Sequence, residues 1–241
     1  MQGYSSKCMK TRSKSTTTRP ELITTIDGPV AAGKTTAARS LAIKLGYTLL
    51  DTGAIYRSVA LAAAAQGLAH HEEERIAELA RSLDISFEFN RGDNRVFLQG
   101  KDVSAEIRVP EISRGASVVS ALPLVRQALL DRQRQMAARG NVVAEGRDTG
   151  TIVFPDADAK FFLTAAQNVR AQRRQRELSE SGDCRPFSEV LASLVERDHR
   201  DTTRSVAPLK PAADALVIDT TGMTIEAVVA EMLRHLPIPG D

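Results

Sequence analysis

One stretch limits this chain more than any other. Leu22 to Ile26 is rich in β-branched residues, Gly28-Pro29-Val30-Ala31-Ala32-Gly33-Lys34-Thr35-Thr36 follows, and an apolar helical pattern runs from Ala37 to Leu45. Strand, glycine loop and helix in that order make the arrangement Gly-x-x-x-x-Gly-Lys-Thr, the P-loop. Each residue type has a physical reason. Glycines at 28 and 33 let backbone N–H groups turn inward around phosphate oxygens, where a Cβ would obstruct them. The helix adds its positive N-terminal end. Lys34 brings a point charge to the outer phosphates, and the Thr35 hydroxyl suits a Mg²⁺ ligand. Residues 28 to 36 are therefore expected to hold a nucleoside triphosphate.

The rest of the composition narrows the class. A chain of 241 residues can bury one good core with small appended subdomains. With a formal charge of +2 and only 4% aromatic residues, it lacks the basic face and the stacking platforms of a dedicated nucleic-acid binder. Cys8 and Cys184 have no Cys or His at metal-ligand spacing, and a disulfide framework is not expected. No apolar run approaches the roughly 18 residues needed to span a bilayer, so no membrane association is expected. The basic N-terminus has no hydrophobic segment of the secretory kind, and the expected location is the cytoplasm.

Residues 1–20 carry five cations, no acid and no apolar periodicity, and read as a disordered extension. Residues 21–236 read as a single domain, and 237–241 as a frayed end. Within the domain, short apolar strands are expected at Tyr47 to Leu50, Asn141 to Ala144, Ala159 to Leu163 and Ala215 to Ile218. Helical patterns separate them. Ile85 to Phe89 and Arg95 to Leu98 instead alternate around a turn, the sign of a small antiparallel insert. The expected fold is an α/β doubly wound five-stranded parallel sheet of P-loop type, with an inserted antiparallel β subdomain and a helical lid. Its core takes 21–52, 139–165 and 206–236, the region with the insert 53–138, and the lid 166–205.

In such a sheet, ligands gather at the carboxyl ends of the strands. Gly28, Asp51-Thr52-Gly53 and Glu145-Gly146-Arg147-Asp148 all fall there by order alone. Arg57 follows one helical turn after the second of these sets. Arg126, Arg147, Arg174, Arg185, Arg197 and Arg204 are further candidates for a cleft that gathers negative charge. Phosphoryl transfer between two phosphate esters needs guanidinium forks and no general base, because the acceptor phosphate is already an ionised nucleophile. The four histidines have no evident partners in the sequence. Arg197, Asp201 and Arg204, at i, i+4 and i+7 of a helix expected from Phe187 to Arg204, share one helix face.

Several of these segments are long enough to compare. Ile26-Asp27-Gly28-Pro29 with Ala32-Gly33-Lys34, Leu50-Asp51-Thr52-Gly53-Ala54-Ile55-Tyr56-Arg57, Asp102 to Arg108, Glu145 to Asp156, and Arg197 to Asp201 through Ala207-Pro208-Leu209 resemble the bacterial cytidylate kinases. The likeness runs from about Ile23 to the last helix. It implies transfer of the γ-phosphoryl of ATP to CMP or dCMP, with Mg²⁺. The family's ATP loop falls on Gly28 to Thr36, with Thr35 toward the metal. Its acceptor-phosphate arginines fall on Arg57, Arg147 and Arg204. Its cytosine contacts fall on Ser117, Arg126 and Asp148, its sugar contacts on Arg197 and Asp201, and its strand-end hydroxyl on Thr52. Lys34, Arg147, Arg197 and Arg204 are the residues expected to act on the transferred group. The insert is similar to the enlarged acceptor-binding domain of the bacterial enzymes.

Two other classes make different demands. Another nucleoside monophosphate kinase, for UMP or AMP, would share the loop and differ at the base. A non-catalytic P-loop switch would carry guanine-selective elements such as Asn-Lys-x-Asp, which this chain lacks. No segment shows a spare apolar face, and a monomer is expected.

Overall fold

A computed structural model describes residues 22–237 apart from positions 91, 139 and 181. The extension expected over 1–20, Cys8 and the end from 238 onward lie outside the described residues. The chain opens with β1 (Ile23–Asp27), α1 (Lys34–Leu45), β2 (Thr48–Asp51), α2 (Thr52–Ala65) and α3 (Glu73–Ser82). An insert follows, made of β3 (Ile85–Asn90), β4 (Asp93–Leu98) and β5 (Lys101–Asp102). Helices α4 (Pro110–Val119) and α5 (Pro123–Met136) lead back to β6 (Val142–Gly146), a π-helical turn at Thr149–Val153, and β7 (Ala159–Thr164). The hairpin α6 (Gln167–Glu180) and α7 (Phe187–Thr203) precedes β8 (Leu216–Asp219) and α8 (Ile225–Arg234).

Among the described residues the main sheet has five strands in the order β2-β6-β1-β7-β8, all parallel. The strand that feeds the glycine loop is thus central. The alternation of side chains explains why these strands read as continuous apolar runs. Val142 and Ala144 face one core with α2, α3 and α5, while Val143 faces the other with α1 and α8. Leu50 and Leu49 divide in the same way. The antiparallel sheet, ordered β3-β4-β5, stands apart from the main one.

Local chemistry sets most element ends. Helices α4 and α5 start on Pro110 and Pro123, where a missing N–H costs nothing. The Asp51 carboxylate caps α2 by accepting from the Ala54 N–H at 2.9 Å. Strand ends shift from the sequence expectation by a residue or two, and two helix boundaries differ in ways that bear on the site. Helix α1 begins at Lys34, three residues before the apolar periodicity shows itself, because Lys34-Thr35-Thr36 carry no apolar marker. Helix α7 ends at Thr203, and Arg204 has an extended backbone with ψ 141°. The shared face of Arg197, Asp201 and Arg204 is therefore not that of one continuous helix.

Gly28 is the tightest point of the frame. Its φ is 146°, and a Cβ there would sit 2.0 Å from the carbonyl oxygen of Leu163 on the neighbouring strand. Gly28→Ala should cost about 3 kcal/mol or more, since backbone cannot yield as a side chain can. The midpoint of thermal unfolding should then fall by about 6–12 °C. An unchanged midpoint would show that β1 and β7 separate more freely than this packing implies.

Candidate active site

The ends of β1, β2 and β6 face one cavity of about 230 Å³, walled by α4, α5 and the α6–α7 hairpin. Its floor is the glycine loop. Ala31 and Gly33 both take left-handed conformations, with φ of 57° and 88°. Such alternation turns successive N–H groups to one side, and the first turn of α1 adds donors that have no intrahelical acceptor. Lys34 lies across the loop, its Nζ donating to the Pro29 carbonyl at 2.7 Å. Burial pushes its ammonium below the usual lysine range, and nearby Arg147 pushes it further. Arriving negative charge would favour the charged form and bind strongly to a poorly solvated ammonium.

Beside it, Glu145 holds together three parts of the floor. Its Oε2 accepts from the Thr35 hydroxyl at 2.9 Å, and its backbone oxygen accepts from the Thr52 hydroxyl at 2.7 Å. Its Oε1 is buried with no partner among the described residues. Burial raises its carboxyl above the usual range, and Asp51 adds to the rise. An orphaned buried carboxylate oxygen next to a hydroxyl is a hard-oxygen donor set, the kind that suits Mg²⁺.

The far end is a lattice of arginines and carboxylates. Arg126 pairs with Asp148, and Arg204 reaches the other oxygen of Asp148 at 3.3 Å. Both guanidiniums also donate to the Ser120 carbonyl. Tyr56 supports Arg126 from below, the guanidinium carbon standing 5.4 Å from the ring centroid. Arg147 donates to Asp201 at 2.9 Å, and Arg57 to Asp51 at 2.7 Å. Burial would raise Asp201, but Arg147 and Arg197 outweigh it and hold the carboxyl below its ordinary value. Burial and Arg147 together lower Arg197 to about 10.

The cavity remains short of anions. Seven cationic side chains line it against five carboxylates. The Nε atoms of Arg57 and Arg197 are buried without an acceptor among the described residues. Such donors are costly unless a ligand satisfies them.

The loop that presents Arg147 and Asp148 is itself anchored. The Asp27 carboxylate, at the end of β1, accepts from the Thr149 N–H and hydroxyl and from the Gly150 N–H at 2.7–2.9 Å. Burial raises its carboxyl despite these bonds. One strand end thus orients both the glycine loop and the arginine-aspartate pair.

Of the residues singled out in the sequence, Val30, Ala31, Gly33, Lys34, Thr35 and Thr36 line the cavity from the loop. Thr52, Arg57, Ser117, Arg126, Arg147 and Asp148 line its other walls, as do Arg174, Arg197, Asp201 and Arg204. Gly28, Pro29 and Ala32 do not face it and serve the turn itself. Arg185 is a correction: it lies outside this cavity and folds back on Asp183, with Nε 3.0 Å from the carboxylate. The expectation that the histidines lack partners is also corrected: His235 Nδ1 lies 2.9 Å from the Glu231 carbonyl and 3.6 Å from its carboxylate, outside this cavity. Sequence reasoning assigned no role to Asp51, Tyr56, Ser120 or Glu177. Asp51 and Tyr56 precede Arg57 in a quoted motif, which was a usable signal. The Ser120 carbonyl carried none.

The match to known proteins agrees with this geometry. The family model described as cytidylate kinase matches residues 24–237. A cytidylate kinase of Pasteurella multocida is 45% identical over 216 residues, covering 90% of this chain and 95% of that protein. Those of Sodalis glossinidius and Geobacter sp. are each 49% identical over 213 residues, covering 88% of this chain and 94% and 91% of theirs.

Proposed function

The chain belongs to the cytidylate kinase family, and from that premise we propose that it transfers the γ-phosphoryl group of ATP to CMP and dCMP. One observation carries the reading at the level of the site. Buried, unsatisfied guanidinium donors of Arg57 and Arg197 face the same space as Lys34 and the glycine loop. Two phosphate-bearing ligands meeting end to end would satisfy both sets. The test is ADP release with ATP and Mg²⁺, offering CMP, dCMP, UMP and AMP in turn. Turnover with the two cytidine nucleotides well above the others is expected. Equal turnover would reject the cytosine contacts, and no acceptor-dependent ADP would reject the transfer.

In this reading, the loop of residues 28 to 36 holds the triphosphate through those of its N–H groups that face the cavity, with Lys34 on the outer phosphates. Arg57, Arg147 and Arg204 neutralise the acceptor phosphate and hold its oxygens toward the loop. An ionised oxygen of that phosphate attacks the γ-phosphorus, and the bond from the γ-phosphorus to its bridging oxygen breaks, leaving ADP. No proton has to be removed. Arg197 and Asp201 take the sugar, and Arg197 together with Lys34 faces the charge that spreads over the transferred group. Asp148, Arg126 and Ser117 read the base. We assign the α6–α7 hairpin the role of a lid that excludes water from this step.

Thr35 and Glu145 would hold the Mg²⁺, Glu145 directly or through water. The ion, when bound, supplies charge neutralisation between the outer phosphates of ATP. Among the described residues no cluster of three or more His, Cys, Asp or Glu is placed for a metal, so phosphate oxygens and water would complete the shell. Glu145→Gln should raise the Mg²⁺ needed for half-maximal rate about tenfold or more, with CMP affinity little changed. An unaltered Mg²⁺ dependence would remove Glu145 from the metal's surroundings. No described helix is long and apolar enough to cross a membrane. We take the enzyme to act as a cytoplasmic monomer, which light scattering at the mass of one chain would support.

A further inference from the structure

Arg200 touches the base-reading set from the opposite side of the cleft. It stands on α7, where its Nη2 is held by Glu196 one turn earlier at 2.6 Å. Its Nη1 crosses to α4 and donates to the Ser117 hydroxyl oxygen at 2.8 Å. Ser117 is buried, with 5% exposure, and faces the main cavity. An exposed ion pair between Arg200 and Glu196 alone would contribute little. The inward arm is the informative one.

A guanidinium carries donors and no acceptor, so Ser117 Oγ must accept in this contact. Its own proton is then left over, and among the described residues no acceptor takes it. A free serine hydroxyl rotates to suit either a donor or an acceptor on a ligand. This one is biased: the accepted bond uses one of its two lone pairs, and the cation behind it makes the other a poorer acceptor and the proton a better donor. Resting on the reading of the site as a CMP site, we propose that Arg200 biases Ser117 toward donating and is thereby a specificity-determining positioning residue.

The consequence follows from the bases. Cytosine presents an amino donor and, next to it, a ring nitrogen and a carbonyl that only accept. Uracil replaces the amine by a carbonyl and the ring acceptor by N–H. Asp148 offers an acceptor, while Arg126 and a Ser117 held by Arg200 offer donors, which is the complement of cytosine alone. Without Arg200, no neighbouring cation would oppose an approaching uracil N–H or weaken the Ser117 lone pairs that accept it, and part of the penalty against uracil would vanish. The contact joins α7 to α4, so the bias acts only when the hairpin is seated over the base.

The test compares the wild type with Arg200→Met, Arg200→Lys, Ser117→Ala and the double variant Arg200→Met with Ser117→Ala. In each, kcat/KM is measured for CMP and for UMP at saturating ATP, with KM for ATP as a control. The ratio of two acceptors in one preparation is independent of the fraction folded. Arg200→Met should lower the CMP/UMP ratio about tenfold, mainly through KM for CMP, with KM for ATP within about twofold. Arg200→Lys, which still only donates, should restore most of the ratio. In the Ser117→Ala background, Arg200→Met should change the ratio less than about twofold, because the two act as one unit. An unchanged ratio in Arg200→Met, or losses that multiply in the double variant, would overturn the inference while leaving the kinase assignment intact. A wild type with no preference for CMP over UMP would reject the cytosine contacts and this inference with them.

Discussion

Lys34→Met is expected to lower kcat about 10³-fold while leaving the fold in place, the scale set by losing a single preorganised charge at a transferring phosphoryl group. Two opposing effects decide stability. The Pro29 carbonyl loses its donor, a hydrogen bond of 2.7 Å whose net worth is about 1 kcal/mol. Against that, a buried ammonium already disfavoured by its surroundings is removed, and Glu145 loses the charge that held its carboxyl down and takes a proton more readily. The melting temperature should therefore move by only a few degrees. Lys34→Arg should rescue little, because Lys34 is buried and a planar guanidinium fork does not reproduce the position of a compact ammonium. A kcat within tenfold of wild type for Lys34→Met would mean that this lysine does not face the transferred group.

The second large effect concerns the base. Asp148→Asn keeps an oxygen for Arg126 but exchanges a double acceptor for a group with a donor edge. The amide can then meet the uracil carbonyl that the carboxylate repels. The CMP value of kcat/KM should fall about 10²- to 10³-fold and the UMP value should hold or rise, since a site built for one hydrogen-bonding pattern is left unpaired by another. KM for ATP should stay near wild type, because Asp148 has no contact with the glycine loop among the described residues. Some stability is lost as well, since Arg126 and Arg204 lose a buried counter-charge. The ratio of the two acceptors cancels that loss. Equal falls for CMP and UMP would mean that Asp148 organises the arginines and does not read the base.

Both predictions involve positions visible in the sequence, yet they were visible for different reasons. Lys34 belongs to a loop whose geometry is set within nine consecutive residues, by glycine freedom and by the helix that follows. Arg147 and Asp148 stood out as a strand-end pair, and a family likeness named their roles. Neither route showed that Asp27 anchors their loop, an arrangement made across about 120 residues of chain. Arg185 misled in the opposite sense. An arginine two residues from an aspartate closes a local ion pair at small entropic cost, so it is consumed where it stands. Arg204 was placed on a helix face that ends one residue too early, since apolar spacing marks a helix interior better than its end.

The order of strands and helices, the triphosphate loop and the surplus of guanidinium groups were thus set by residue type and spacing. They rest on backbone freedom, side-chain period and charge, all of which act between near neighbours. Which arginine meets which carboxylate was decided only in three dimensions. Asp148 pairs with Arg126 across 22 residues and with Arg204 across 56, while Arg200 reaches Ser117 across 83. Over such separations, spacing carries no information. The partners meet because the parallel sheet aligns its strand ends and the α6–α7 hairpin packs across them, and the buried charges then find the acceptors within reach.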